Sequence, residues 1–248
     1  MWQDYETTYQ DALQDSGFLS WRELGARRKA ENVARLCRAI EAPSMIEIGC
    51  GTGAVLRVLQ TMNFAGEYYC IDLSSSAVRF TVKSCQALAS RAVTGRADAL
   101  PFRDGAFSLA VLSHVVEHLE DPVSALREAS RVARFVVVEV PTERVFSNFI
   151  RRKFLGRPYP SIAGAGHMQF WSPSSIARFL TQDAGLEILN RHQDLLGDEA
   201  DSGTKNGLGA GARAMVKRIL RGGLPGFVYS RLLTTHAAFL CRRPDRHS

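Results

Sequence analysis

The chain lacks the long apolar segments that mark a membrane protein. Although 46% of its 248 residues are hydrophobic, none of its apolar runs approaches the roughly 20 residues that a membrane span needs. Its first residues, Met1 to Glu6, also lack the basic-then-apolar order of a signal peptide. We therefore expect a cytoplasmic protein without stable membrane insertion.

Cysteine is sparse and shows no pairing pattern. The five cysteines stand at positions 37, 50, 70, 85 and 241, with no C-x-x-C pair and no metal-ligand spacing. Three of them, at 50, 70 and 241, lie in or beside predicted strands. We expect buried, reduced thiols and no bound metal.

Lysine is rare as well, because the 31 basic residues are 26 arginines and only 5 lysines. With 25 acidic residues the formal net charge is +6. The arginines are spread along the chain and are not concentrated in one tail. Such dispersal is typical of a solvated surface, and it is also compatible with an anionic substrate.

Hydrophobic periodicity predicts strands and helices in alternation, which favours an α/β fold with a mostly parallel sheet between layers of helices. A helical segment over 1–40 precedes this pattern and ends before Pro43. The predicted strands are 45–48, 67–71, 92–97, 107–113, 135–140, 186–192 and 235–241. The predicted helices are 54–62, 76–89, 122–133, 174–184 and 212–220.

The length allows one large domain with appended segments. We interpret 1–40 as a helical N-terminal lid and 41–248 as the main domain. Within the main domain, 142–172 is expected to be an inserted cap rich in aromatic and basic residues. The glycine-rich stretch 197–228 is expected to be a surface excursion.

The most informative segment is Met45 to Gly53, an apolar run that contains Glu47 and ends in alternating glycines. Glycines at 49, 51 and 53 leave backbone N–H groups unobstructed and permit turns that a β-carbon would forbid. Between a strand and a helix, such a turn lies where open α/β sheets bind their ligands. The spacing also fits the fingerprint of dinucleotide-binding folds, so the turn alone does not choose the ligand.

Residues 47–53 resemble motif I of class I S-adenosylmethionine-dependent methyltransferases, in which an acid precedes three alternating glycines. Asp72, at the end of the second predicted strand, could accept both hydroxyls of a ribose. The stretch around Asp98 resembles the family's third signature, in which an acid binds the adenine amino group. Ser108 departs from that pattern, which usually has an aspartate there. The stretch 112–122 resembles the signature after strand 4.

The resemblance implies a Rossmann-like fold with strand order 3-2-1-4-5-7-6 and an antiparallel last strand. It also implies S-adenosylmethionine as cofactor and S-adenosylhomocysteine as product. Glu47 would contact the methionine end of the cofactor, the alternative being a buried ion pair with an arginine. The cofactor-binding residues expected from the resemblance are Glu47, Gly49, Cys50, Gly51, Gly53, Asp72, Leu73, Asp98, Ala99, Ser113 and His114.

Methyl transfer needs positioning, and it needs a base only when the acceptor atom carries a proton. His118 and His167 are the candidate bases. Each could instead be a packing residue, and His118 could cap a helix. We interpret Glu117, Glu120 and Asp121 as helix-start residues, and His114 as a wall of the cofactor pocket.

Aromatic and basic residues outside the motifs are candidates for acceptor binding, and plain packing is the alternative for all of them. The segment 144–155 has the pattern of a basic amphipathic helix, which could cover an acceptor pocket, touch a membrane surface or bind an anionic group. We expect a small-molecule acceptor and leave a homodimer open. The candidate substrate-binding residues are Tyr5, Tyr9, Trp21, Phe146, Arg151, Phe170 and Trp171.

Three functions remain open. A methyltransferase acting on an O, N or C nucleophile of a small molecule agrees with the motifs, and the absence of an Asn/Asp-Pro-Pro-aromatic motif argues against a nucleic-acid target. A NAD(P)-dependent oxidoreductase would leave Glu47 and Asp98 unexplained, and the chain has no Tyr-x-x-x-Lys pair. A cofactor-binding scaffold without catalysis is the third.

Overall fold

The structure is a computed structural model that describes residues 2–88, 90–142, 167–195 and 234–244. Its strands are β1 (Ser44–Ile48), β2 (Glu67–Asp72), β3 (Ala92–Thr94), β4 (Phe107–Ser113), β5 (Ala133–Pro141), β6 (Glu187–Leu195) and β7 (Thr234–Arg242). Its helices are α1 (Trp2–Ala12), α2 (Ser16–Leu36), α3 (Ala54–Thr61), α4 (Ser75–Ser84), α5 (Pro122–Val132) and α6 (Pro173–Arg178).

The strands form one seven-stranded sheet in the order β3-β2-β1-β4-β5-β7-β6. The first five pair in parallel, whereas β7 runs antiparallel to both β5 and β6. The fold class and strand order expected from the resemblance are confirmed. Because β2, β1, β4 and β5 are adjacent and parallel, the loops that follow them meet at one edge of the sheet.

Several element boundaries differ from the sequence expectation. The third strand is only three residues long, and the helix predicted to reach residue 89 ends at Ser84. The backbone leaves the helical region at Cys85, and a 3₁₀ turn follows that ends at the buried Leu88. After α6 the chain continues as a π-helical turn, Phe179–Asp183. Periodicity located these elements, but tertiary packing set where they end.

The core lies on both faces of the sheet because the central strands are buried on both sides. One face packs against α5, α6 and the π turn, and the other packs against α2 and α3. Cys37, Cys50, Cys70 and Cys241 are buried and Cys85 is partly buried, all as free thiols. Trp171 belongs to the first face, with its ring 5.3 Å from that of Phe179.

Part of the sequence expectation lies outside the described residues. That part includes residues 143–166 of the cap insertion, the whole glycine-rich excursion, the basic helix over 144–155 and the helix over 212–220. Within the described ranges, no helix combines the length and the apolar character needed to cross a bilayer.

Candidate active site

The glycine turn between β1 and α3 sits at the carboxyl edge of the sheet. Gly51 has a φ of +57°, in the left-handed region that favours glycine. A β-carbon there would overlap the Arg22 guanidinium and lie 2.5 Å from Tyr9 Oη. Helices α1 and α2 thus place two polar side chains directly against the turn.

The carboxylate of Asp72 links β2 to this turn. Its Oδ2 accepts a hydrogen bond from Gly51 N (2.8 Å), and its Oδ1 accepts one from Ser74 N (2.9 Å). Each oxygen keeps a second lone pair. Burial raises the pKa of Asp72, while the backbone donors and the charge of Arg22 oppose that rise. The residue therefore supports the turn and still offers acceptor capacity.

Glu47 lies beneath the turn, within the apolar strand β1. It is 3% exposed, and its Oε2 has no hydrogen-bond partner among the described residues. Burial raises its pKa to about 8, although the nearby charges of Arg22 and Lys29 act in the opposite direction. No side chain of the described ranges forms a salt bridge with it, so the alternative of a buried ion pair with an arginine is not found there. A buried carboxylate with a vacant acceptor site suits a cationic ligand.

The N-terminal helix α1 is attached next to the turn through Glu6. Glu6 Oε1 accepts hydrogen bonds from Ser75 Oγ, Ser76 N and Ser76 Oγ at 3.0, 3.1 and 2.6 Å. The Ser74 side chain, together with these donors from Ser76 and Ser75, lowers the pKa of Glu6 to about 2. The contact holds α1 against the beginning of α4, one loop away from Asp72.

Further along the same edge, Asp98 forms a two-contact ion pair with Arg96. Arg96 Nε lies 2.7 Å from Asp98 Oδ1, and the second guanidinium nitrogen faces Oδ2. This pairing lowers the pKa of Asp98. Leu73 directly follows Asp72, and Ala99 is exposed beside Asp98. These positions surround the region where the resemblance puts the adenine.

The residues after β4 have an unusual backbone. His114 has a φ of +58°, which is rare for a residue with a β-carbon. Its N–H donates to the Glu139 carbonyl oxygen at 2.9 Å. Ser113 Oγ donates to Glu139 Oε2 at 2.8 Å. Both residues expected to touch the cofactor are thereby attached to β5.

Glu139 belongs to a buried polar network that the sequence did not reveal. Asn32 of α2 donates to both Glu139 Oε1 (3.1 Å) and Asp194 Oδ2 (2.9 Å). Arg28 Nε lies 3.4 Å from that same Asp194 oxygen. In the sequence, the only sign of this network is an acid inside the apolar run of β5. Asn32 is more than 100 positions away from both acids that it contacts, so no local pattern connects them.

The two candidate bases are brought together. The rings of His118 and His167 lie 4.8 Å apart in an edge-to-face arrangement, and Phe170 lies 6.4 Å from His167. Burial lowers the pKa of His167, which favours its neutral form. Main-chain N–H groups of Met168 and Gln169 donate to the Glu117 carbonyl oxygen at 2.8 and 3.0 Å. Two segments separated by 50 residues therefore form one surface.

Glu117 differs from its interpretation as a helix-start residue. Asp121 does cap α5, accepting from Ser124 N at 3.0 Å, but Glu117 lies in the preceding 3₁₀ turn, Val116–His118, and is 1% exposed. Neither of its carboxylate oxygens makes a hydrogen bond to a described residue. Its Oε1 is 3.4 Å from His114 Nδ1 and 4.0 Å from His118 Nε2. Burial raises the pKa of Glu117 to about 8.

The remaining substrate candidates are scattered. Phe170 is exposed beside His167, whereas Trp171 is buried in the core and does not line this surface. Trp21 is exposed and packs near Phe18. Tyr5 lies in α1, and the candidates at 146 and 151 fall outside the described residues.

Comparison with known proteins identifies the family. A family model described as a methyltransferase domain matches residues 18–191, most of the chain. The chain belongs to this methyltransferase-domain family. This confirms the resemblance to class I S-adenosylmethionine-dependent methyltransferases, since the motifs and the strand order agree with it.

Individual relatives of this methyltransferase domain are more distant. Ajmaline N-methyltransferase of Rauvolfia serpentina is 32% identical over 93 residues, which cover 36% of this chain. The matched part spans only about a third (32%) of that relative's length. A Thermotoga maritima structure described as a possible histamine N-methyltransferase has a TM-score of 0.60 at 18% identity, covering 98% of this chain and 100% of its own. A structure of a complex between the Haloferax volcanii Trm112 methyltransferase activator and a methyltransferase also has a TM-score of 0.60 at 18% identity. The match covers 90% of this chain and 94% of the matched one.

The methyltransferase domain has groups that fit S-adenosylmethionine. The Glu47 carboxylate offers a vacant, buried acceptor for an ammonium group, and Arg22 offers a guanidinium for a carboxylate. Asp72 retains acceptor capacity for ribose hydroxyls. These groups surround one turn, so the donor and acceptor pattern agrees with the amino-acid end and the ribose of that cofactor.

Proposed function

We propose that this chain transfers a methyl group from S-adenosylmethionine to an O, N or C nucleophile of a small-molecule acceptor. The observation that carries the proposal is the proximity of two sets of groups. The glycine turn with Glu47, Asp72 and Arg22 forms the first set, and the surface of His118 and His167 forms the second. Val115 connects them, since a β-carbon at Gly49 would lie 2.5 Å from Val115 Cγ2.

In this proposal the turn holds the cofactor and orients it. S-adenosylmethionine supplies a methyl group bound to a sulfonium, which leaves as a neutral thioether. Glu47 binds the ammonium, Arg22 the carboxylate and Asp72 the ribose. Leu73, Asp98 and Ala99 border the adenine, while Ser113 and His114 border the methionine part. Most of the rate enhancement comes from alignment of acceptor, methyl carbon and sulfur.

The acceptor lies on the other side of Val115, against His118 and His167. A neutral His167 can receive a proton from an acceptor hydroxyl or amine, and its lowered pKa keeps it neutral near pH 7. Helices α1 and α2 act as the lid over the cofactor, since Tyr9 and Arg22 contact the turn. Phe170 provides an apolar contact for the acceptor body.

The names of two relatives support a small acceptor. One is named ajmaline N-methyltransferase, and another is described as a possible histamine N-methyltransferase. Both names denote methyl transfer to nitrogen. They guide the first acceptor panel, which should contain small amines, with phenols and carbon acids for comparison.

Isothermal titration of the purified protein with S-adenosylmethionine, S-adenosylhomocysteine and NADH tests the proposal. We expect micromolar binding of the first two and loss of that binding in Asp72→Ala. Binding of NADH alone would contradict the proposed methyl transfer and favour hydride transfer instead. Turnover on each acceptor is measured by mass spectrometry of the methylated product. Saturable cofactor binding without turnover on any acceptor would favour a scaffold without catalysis.

A further inference from the structure

We propose that Glu117, His118 and His167 form a binding site for one divalent transition-metal ion. Each residue offers one ligand atom, and these three atoms lie within 4.8 Å of one another. The cluster combines a buried carboxylate with two imidazoles. Two histidines and one carboxylate are a ligand set that holds catalytic zinc or non-haem iron and leaves coordination positions open.

The burial of Glu117 is the second observation. Its side chain is 1% exposed, and neither oxygen makes a hydrogen bond to a described residue. An ionised carboxylate in such a place needs a cation or several donors. Among the described residues, the basic groups within 4 Å of its carboxylate oxygens are the imidazoles of His114 and His118. A divalent ion would satisfy the oxygens that the chain leaves open.

The geometry allows the site to close around an ion. Ligand atoms bonded to zinc at about 2.0–2.2 Å stand roughly 3–3.5 Å apart. The Glu117 Oε1 to His118 Nε2 distance is 4.0 Å, and all three ligand atoms lie within 4.8 Å of one another. The ligand atoms therefore have to approach one another by roughly 1 Å to hold an ion. His167 is held nearby by the backbone hydrogen bonds of its two following residues to Glu117.

The position of the site gives it a role, and this part rests on the proposed function. The side chain of Val115 lies against Gly49, so the chain segment that carries Glu117 and His118 begins at the cofactor turn. An ion with open positions can bind an acceptor hydroxyl and lower its proton affinity. The hydroxyl proton leaves to water, the oxygen forms a bond to the methyl carbon, and the carbon–sulfur bond breaks to leave the thioether.

This chemistry narrows the acceptor. An amine bound to a metal ion has no lone pair left for attack, whereas a bound alkoxide or phenolate oxygen keeps lone pairs. The site therefore selects an oxygen nucleophile. With an ion bound, His118 and His167 act as its ligands, and the direct base role proposed above for a neutral His167 applies only to the metal-free protein.

Cobalt(II) is the probe for the site, because its visible absorption reports the number of ligands. We expect metal-free protein to bind one equivalent of Co²⁺, which Zn²⁺ displaces and Mg²⁺ does not. The variants Glu117→Gln, His118→Ala and His167→Ala should each bind Co²⁺ at least about tenfold more weakly. His192→Ala removes a histidine outside the cluster and serves as the matched control, with unchanged Co²⁺ binding.

Titration with S-adenosylmethionine on the same samples separates this inference from the proposed function. The cluster variants should bind the cofactor within about threefold of the wild type, which also shows that they fold. Wild-type protein that binds the cofactor but no Co²⁺ would overturn the metal site. Co²⁺ affinity equal in the cluster variants and the wild type would overturn it as well. Failure of the wild type to bind the cofactor would overturn the proposed function alone.

Discussion

The guanidinium of Arg22 lies against the backbone of Gly51, so that a β-carbon at Gly51 would overlap it. The contact joins α2 to the turn between β1 and α3, 29 positions later in the chain. It puts a positive charge where the proposed function places the carboxylate of the cofactor. Several measurable consequences follow from this contact and from the buried acids around it.

Gly51→Ala should weaken S-adenosylmethionine binding by about 100-fold or more. The left-handed backbone adds about 1–2 kcal/mol of strain, and the new methyl group displaces Arg22 and Tyr9. Because both displaced atoms end flexible side chains, the variant should still fold. Isothermal titration measures the affinity, and urea unfolding measures the stability.

Gly105→Ala is the matched control for this effect. Gly105 has a φ of +62°, and a β-carbon there meets nothing within 4 Å. The backbone strain should lower the free energy of unfolding of this variant in urea. Its affinity for the cofactor should be unchanged. Equal affinity of the Gly51→Ala and Gly105→Ala proteins would mean that space above the turn is not needed for binding.

Arg22→Gln should lower cofactor affinity by about 10- to 100-fold, the amount expected for a lost charge-assisted hydrogen bond. The wild-type affinity should also fall with added salt more steeply than that of the variant. Arg27→Gln is the control, because Arg27 lies on the same helix but points to solvent and pairs with Glu31. If both variants bind alike, Arg22 is not a cofactor ligand.

The sequence predicted the sheet and the cofactor turn because both depend on local patterns. Apolar runs between helical periods located the strands, and Gly49, Gly51 and Gly53 marked the turn. Arg22, Asn32 and the burial of Glu117 could not be predicted in this way. Their roles depend on contacts with residues far along the chain, for which one sequence gives no local signal.

Glu6→Gln should release α1 from α4. Glu6 accepts three hydrogen bonds from Ser75 and Ser76, and a neutral amide replaces these charge-assisted contacts by weaker ones. Hydrogen exchange in α1 should become faster, and cofactor affinity should fall several-fold because Tyr9 is on the same helix. The folded pKa of Glu6 is depressed, so the contact is fully present above pH 4.5 and is lost as the pH falls towards about 2.

Asp11→Asn is the control for the α1 contact. Asp11 is exposed on the same helix, so its substitution should leave exchange and affinity unchanged. Faster exchange in both variants would indicate a general loss of helix stability. Unchanged exchange in Glu6→Gln would show that α1 is held by its other contacts.

Glu47 should make the stability of the cofactor-free protein depend on pH. Its carboxyl ionises near 4.5 in the unfolded chain and at about 8 in the folded one, because burial disfavours the charge. Between these values the folded chain keeps a proton that the unfolded chain has lost. This contribution therefore favours unfolding as the pH rises from 4.5 to 8, and it is constant above 8.

Glu47→Gln should remove that dependence, because a neutral amide of similar size replaces the acid. The free energy of unfolding, measured in urea, should be compared for the two proteins at pH 5 and at pH 9. The difference in favour of the variant should grow by about 2–4 kcal/mol from the lower pH to the higher. Glu41→Gln, at an exposed position before β1, should follow the wild-type curve. At the same time Glu47→Gln should bind S-adenosylmethionine less tightly, since it has lost the acceptor for the ammonium. A variant that gains stability at high pH and keeps full affinity would place the ammonium elsewhere, and Glu47 would then be a buried acid without a ligand.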